Sequence, residues 1–340
     1  MNITICGGGN LGHVLIGVLS ENTVVNVNLL TQKPSEWSRH IEICDMNGKK
    51  YQGRLDIITD IPSEVIPQSD MVILCLPGFA IANELLRIKE YLRPRCKVGS
   101  IVASTGFFFM AKELLEKDTP LFGFQRVPYI ARLTQYGHSA NLLGYKSSLN
   151  LAIESIQDKE DFRIMIETLF LTPTNLLNHY LEASLSNSNP LLHTSRLYSL
   201  WNNWTESEVY DHTVLFYDEW TDEASDLLIQ MDREFMTLLD RLPVDKLQIP
   251  SILTYYGSTD ICSLTQKIRS INAFKSIEAP MIQVESGWIP DFNSRYFTED
   301  FPFGLRFIKE EAENYNIQTP MINLVYDWGI GINKKYNYVK

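Results

Sequence analysis

Near the start of the chain, Gly7-Gly8-Gly9-Asn10-Leu11-Gly12 reads G-x-G-x-x-G, with a β-rich run before it and a helical run after it. In that setting Gly7 permits a tight turn, Gly9 lets a diphosphate approach the backbone, and Gly12 lets helix and strand pack closely. The freed N–H groups around Asn10 and Leu11, with the helix dipole behind them, suit phosphate oxygens, so the chemistry implied is dinucleotide binding. The next strand ends Leu30-Thr31-Gln32-Lys33 and offers no carboxylate to ribose hydroxyls. Thr31 and Lys33 are therefore read as receptors for a 2'-phosphate, which favours NADP(H) over NAD(H). Leu76 and Pro77, which close the fourth strand, are expected to skirt the cofactor.

Two further segments carry polar chemistry. In Asn189-Pro190-Leu191-Leu192-His193, Asn is a good N-cap and Pro a favoured first helical residue, so His193 is expected in a first helical turn, held rigidly for proton transfer. A histidine alone more often packs or sits at the surface, which is the reading given to His40, His138, His179 and His212. The segment Ser294 to Gly304 reads as a polar turn in which Arg295 pairs with Glu299. Its functional reading gives Arg295 a planar fork for a substrate carboxylate and makes Asp300 the group that orients a histidine.

The elements that must position these residues are legible as a change of period. The first half alternates strands with helices, the pattern of a parallel sheet covered on both faces. Strands are expected at Asn2 to Cys6, Val24 to Leu30, Leu55 to Ile58, Met71 to Leu76, Val98 to Ser104, Leu121 to Phe124, Ser139 to Tyr145 and Leu149 to Ile153. Helices are expected at Asn10 to Leu19, Ile81 to Tyr91 and Asp161 to Phe170. After about Tyr180 the strand signal fades. Leu227, Leu228, Met231, Phe235, Leu238, Leu239 and Leu242 then form one apolar helix face, with Asp222, Glu223 and Asp226 near its positive end. The fold expected is an α/β Rossmann domain, with a doubly wound and mostly parallel sheet, over residues 1–180, followed by an all-α domain over 181–340.

Bulk properties narrow the function. At 340 residues, two ordinary domains are expected. Five cysteines with no close pair fit neither a disulfide framework nor a zinc site, so no metal is expected. A net charge of −11 and the lack of a basic stripe argue against nucleic acid or anionic membranes as partners. The longest nearly apolar stretch, Met71 to Ala82, is too short to cross a bilayer, and a cytoplasmic location is expected.

Taken in order, the glycine motif, Asn189 to His193, and Arg295-Tyr296 followed by Glu299-Asp300, Pro302 and Gly304 resemble the opine dehydrogenase family, which includes octopine and nopaline dehydrogenases. The resemblance spans the chain from Gly7 to Gly304. It implies a helical second domain with the active site in the cleft between domains, and an enzyme that condenses an amino acid with a 2-keto acid and reduces the imine with NAD(P)H. Carried over to matching positions, His193 is the general acid/base, Asp300 its orienting partner, Arg295 the keto acid anchor, and Asn189 a second substrate contact. Arg126, Tyr129, Arg132 and Trp201 are candidates for selecting the amine, and a homodimer is the assembly expected. Two other readings stay open: a two-domain keto or hydroxy acid reductase similar to ketopantoate reductase, and a non-catalytic nucleotide-sensing module. The first would want a catalytic lysine in the second half, where no lysine stands in a recognisable context.

Overall fold

Aliphatic and β-branched residues buried on both faces mark the central strands of the first half. The burial follows from helices covering both sides of a parallel sheet. The computed structural model describes residues 1–336, so the last four residues of the expected second domain lie outside the described residues. The chain divides into two compact units, Met1–Ser186 and Asn187–Lys340.

The first unit contains β1 (Asn2–Cys6), β2 (Asn26–Leu30), β3 (His40–Asp45), β4 (Lys50–Arg54), β5 (Ile58–Thr59), β6 (Met71–Leu74), β7 (Lys97–Ser100), β8 (Leu121–Phe124), β9 (Tyr129–Gln135), β10 (Ser139–Tyr145), β11 (Leu149–Glu154) and β12 (Thr174–Leu176). Its main sheet runs β12-β11-β8-β7-β6-β1-β2-β5. The six strands from β5 to β8 are parallel to one another, and β11 runs antiparallel to β8. The order reverses at β1, the point where a doubly wound sheet opens a crevice at its strand ends. This is the expected Rossmann architecture. Several expected bounds need correction: the third strand is Ile58–Thr59 rather than Leu55 to Ile58, and the fourth ends at Leu74 rather than Leu76. The fifth strand stops at Ser100 rather than Ser104, because the chain turns through a short helix at Ala103–Thr105 into Gly106 with φ +81°. The second strand begins at Asn26 rather than Val24, which is exposed.

A four-stranded sheet, β4-β3-β10-β9, is built from segments of which only β10 was expected to be extended. Its β3, β4 and β10 alternate more and less buried residues, as in β4 with Tyr51 and Gly53 inward. Short stretches of Lys, Gln, Gly and Arg carry that alternation weakly, so the sequence did not announce it.

The second unit is helical, with Asn189–Trp201, Asp222–Leu239, Ile261–Ser270, Arg306–Asn314 and Pro320–Tyr336 as its longer α-helices. It also holds one antiparallel ribbon of β13 (Met281–Val284) and β14 (Gly287–Pro290). The Asp222–Leu239 helix buries the expected apolar face. Thr221 caps it by accepting from the Ala224 N–H, and Asp222 and Glu223 lie in its first turn. Trp201, Trp220, Phe216, Phe297 and Phe301 form the buried aromatic centre of this unit. Among the described residues no helix is long and apolar enough to cross a membrane.

Candidate active site

The glycine loop joins β1 to the Asn10–Ser20 helix at the carboxyl edge of the parallel sheet. Gly7 has φ +114°, and a Cβ there would lie 2.6 Å from the Cys75 carbonyl oxygen. A Cβ on Gly12 would lie 2.2 Å from the Gly7 carbonyl oxygen, so any side chain would push helix from strand. A Cβ on Gly9 would meet nothing within 4 Å and would instead fill the open space above the loop. The loop therefore fits a dinucleotide diphosphate: tight where the backbone folds on itself, and bare where phosphate must approach.

Beside it a cleft of about 460 Å³ is lined by Gly7, Thr31, Lys33, Leu76 and Pro77, all expected cofactor contacts. Phe79, Glu84, Arg87 and Tyr136 line it too and were not foreseen. Lys33 is exposed and pairs with Glu36 at 3.1 Å. Arg87 is held by Glu84 at 2.6 Å and donates to the Asp60 carbonyl at 2.8 Å. The Asn10 side chain accepts from the Leu133 N–H at 2.7 Å, which ties the loop to β9, and Leu11 is half-buried behind it. A larger cavity of about 670 Å³, bordered by Arg95, Lys97, Pro120 and Asp158, opens where β7 and β8 begin. That is the wrong edge of the sheet for a nucleotide.

His13, fully buried one residue beyond the motif, is a part of this loop that sequence reasoning missed. Its Nδ1–H donates to the Gly9 carbonyl at 2.9 Å, and its Nε2 accepts from the Gly137 N–H at 2.8 Å. The ring lies 4.1 Å from that of Trp37, and burial pushes its pKa down, so it stays neutral and keeps both bonds. The only sequence signal was a polar residue on an otherwise apolar helix face.

In the second unit the Asn189–Trp201 helix begins one residue earlier than expected, with Ser188 in the N-cap position and Pro190 second. Asn189 is its first residue, and its N–H donates to the Asn187 side-chain oxygen at 3.2 Å. The segment expected as a polar turn is instead a π-helix, Tyr296–Leu305. Pro302, inside it, has no N–H to give to the helical ladder, and wide turns of this kind concentrate at functional positions. Phe297 and Phe301 stack on its buried side at 5.5 Å. Gly304 seats it against the other helix, where a Cβ would lie 2.5 Å from Pro190 Cγ.

That contact brings together residues 107 positions apart. His193 Nδ1 and Asp300 Oδ2 are 2.8 Å from each other, with side chains 12% and 17% exposed. A carboxylate only accepts, so Nδ1 carries the proton and Nε2 presents its lone pair. The Tyr217 hydroxyl donates to that lone pair at 2.8 Å. Nothing in the sequence singled out Tyr217. Its place is set by Arg196, one helical turn after His193, whose buried guanidinium donates to the carbonyls of Phe216 at 3.0 Å and Glu219 at 2.7 Å, on either side of it. Burial, with Arg269 adding to it, pulls the Arg196 pKa down to about 10; burial first, and then the nearby Tyr296, Tyr256 and Asp300, push that of the Tyr217 phenol well up, so the hydroxyl keeps its proton.

Arg295 is not in this cluster of hydrogen bonds: it precedes the π-helix, its side chain is 83% exposed, and it pairs with Glu299 at 3.1 Å. Among the proposed amine selectors, Tyr129 donates to the Phe170 carbonyl from within the core of the first unit, and Trp201 is fully buried in the second, so both serve packing. Arg126 is bound to Ser186.

Residues 176–333 match the model of the NAD/NADP octopine/nopaline dehydrogenase alpha-helical domain. Over its length the chain is similar to a tauropine dehydrogenase of Arabella iricolor, 28% identical across 96% of this chain and 90% of the relative. An opine dehydrogenase of Haliotis discus hannai is 24% identical across 96% and 89%. A solved octopine dehydrogenase with NADH and L-arginine has the same fold, with a TM-score of 0.85 at 23% identity, covering 98% of this chain and 89% of that one. Residues 176–333 thus carry the octopine/nopaline dehydrogenase helical domain, and over nearly its whole length the chain is similar to opine dehydrogenases.

Proposed function

We propose that this chain, a nicotinamide-dependent oxidoreductase, joins the amino group of an amino acid to a 2-keto acid and reduces the resulting imine. The observation that carries the reading is the 2.8 Å bond between His193 Nδ1 and Asp300. It leaves one imidazole nitrogen to take and return a proton while a fixed carboxylate balances the imidazolium. Asp300 orients the ring. Arg295 holds the keto acid carboxylate, exchanging Glu299 for it, and Asn189, at the start of the histidine helix, is a second contact. Solved octopine dehydrogenases hold NADH with L-arginine or with pyruvate, which supports an amino acid and a keto acid as the substrate classes.

Gly7, Gly9, Asn10, Leu11 and Gly12 would hold the diphosphate, with Leu76 and Pro77 beside it; the bound dihydronicotinamide supplies hydride to the imine carbon. Thr31 and Lys33 favour NADPH, and Lys33 would exchange Glu36 for its 2'-phosphate. A yersinopine dehydrogenase of similar fold, with a TM-score of 0.72, is known with NADP+. Five unpaired thiols suit a reducing cytoplasm.

The test is to mix purified protein with NADPH or NADH and a matrix of amino acids and 2-keto acids, following loss of dihydronicotinamide absorbance. At least one pair is expected to turn over, and keto acid alone is not. If cofactor binds and every pair stays silent, the reading fails. Tighter binding of NADH than of NADPH would overturn the cofactor preference alone.

A further inference from the structure

We propose that Tyr217 is the hydroxyl through which His193 exchanges its proton with the substrate. The proposal rests on the imine-forming reading given above and deepens it. His193 has two nitrogens, and both are engaged: Nδ1 by Asp300 and Nε2 by Tyr217, each at 2.8 Å. A substrate oxygen can reach Nε2 directly only if Tyr217 swings away. Its ring is clamped against that motion, stacked on Phe274 at 4.1 Å and 18° and lying parallel to Trp220 at 6.2 Å and 8°. The backbone on either side is tied by Arg196 through the carbonyls of Phe216 and Glu219. Buried tyrosines usually find some partner for their hydroxyl. Here the partner is the one imidazole nitrogen that the Asp300 bond leaves available for chemistry, and a buried guanidinium is spent on holding the phenol there.

A phenol is fitted to the task because it has one proton to give and two lone pairs to receive with. Facing neutral His193 it donates to Nε2. Facing protonated His193 it accepts from Nε2–H, and its own O–H turns outward. In the dehydration step the proton on Nε2 passes to the Tyr217 oxygen as the Tyr217 proton passes to the hydroxyl of the carbinolamine. The carbon–oxygen bond then breaks, water leaves with that oxygen, and the nitrogen lone pair forms the C=N bond. His193 is left neutral with Nδ1–H on Asp300, Tyr217 is unchanged, and nothing is oxidised or reduced in the step.

The test uses Tyr217→Phe, which keeps the ring stack, in the full-length protein. In the first arm diethyl pyrocarbonate acylates histidine lone pairs, and modification of the His193 peptide is followed by mass. Removal of the hydroxyl is expected to speed acylation about tenfold, the worth of one hydrogen bond. In the second arm turnover of the productive amino acid and keto acid pair is expected to fall about 10²-fold with KM for both nearly unchanged. Cofactor affinity and the thermal midpoint confirm that the variant is folded. Equal acylation rates in the two proteins would overturn the assignment without any substrate being needed. So would a variant that turns over as fast as the parent, since Nε2 would then reach substrate unaided. A parent protein that turns over no pair overturns the functional reading instead, and the acylation arm still decides whether Tyr217 holds Nε2.

Discussion

Asp300 works at the scale of single atoms, and so does the clearest prediction about it. In Asp300→Asn the side-chain oxygen still accepts from His193 Nδ1, so the ring keeps its place, but the charge that balances an imidazolium is gone. Turnover is expected to drop by roughly 10²-fold or more while cofactor affinity, measured by fluorescence titration, stays at the parent value. A variant with parental turnover would make the pair a structural bond only. His193 and Asp300 were legible because their neighbours, Asn189-Pro190 and the Arg295 to Gly304 segment, stand in a fixed local pattern. Tyr217 and His13 were not. Tyr217 owes its place to Arg196 reaching across 20 residues to the Phe216 carbonyl, and His13 to a turn at Gly137 that lies 124 residues away. Side chains fixed by distant backbone leave no periodic trace in the sequence.

Elements set the distances those atoms need. The π-helix Tyr296–Leu305 meets the Asn189–Trp201 helix where Gly304 lies on Pro190, three residues before Asp300's partner His193. In Gly304→Ala a methyl would sit 2.5 Å from Pro190 Cγ, so one helix must give way. The expected cost is about 1–3 kcal/mol of stability from overpacking. A shift of about 1 Å between the helices is expected to lower turnover by roughly 10²-fold. The check is to measure both: a loss of activity without a loss of stability, or the reverse, would show that the seat of Gly304 does not set the His193 to Asp300 distance. Strands and helices with strong period, such as β1, β8, β10 and the Asp222–Leu239 helix, were readable from sequence. The π-helix was not, since its ten residues include a proline and read as a turn by every local rule. Nor were β3, β4 and β9, whose polar outer faces weaken the alternation of two.

The molecule as a whole carries a net charge of −11, and a few of its carboxylates, Asp232 among them, are buried. Asp232, on the Asp222–Leu239 helix, is 5% exposed and accepts from the Ile252 N–H at 3.1 Å. Burial raises its pKa from 3.8 to about 6, and this hydrogen bond offsets the rise only in part. The folded protein therefore holds the Asp232 proton more tightly than the unfolded chain does. This group's contribution to stability is full below pH 3.8, declines as pH rises, and is lost above about 6. At neutral pH the buried charge costs roughly 1–3 kcal/mol against a neutral side chain of the same shape. Asp232→Asn keeps an oxygen for the Ile252 N–H and removes the charge. Denaturant titrations of parent and variant are expected to show the variant more stable at neutral pH, with the gap closing as pH falls through that window. Two curves that stay parallel throughout would mean that the Asp232 carboxylate is solvated in the folded state, and that acid sensitivity in this acidic protein arises from its surface charges.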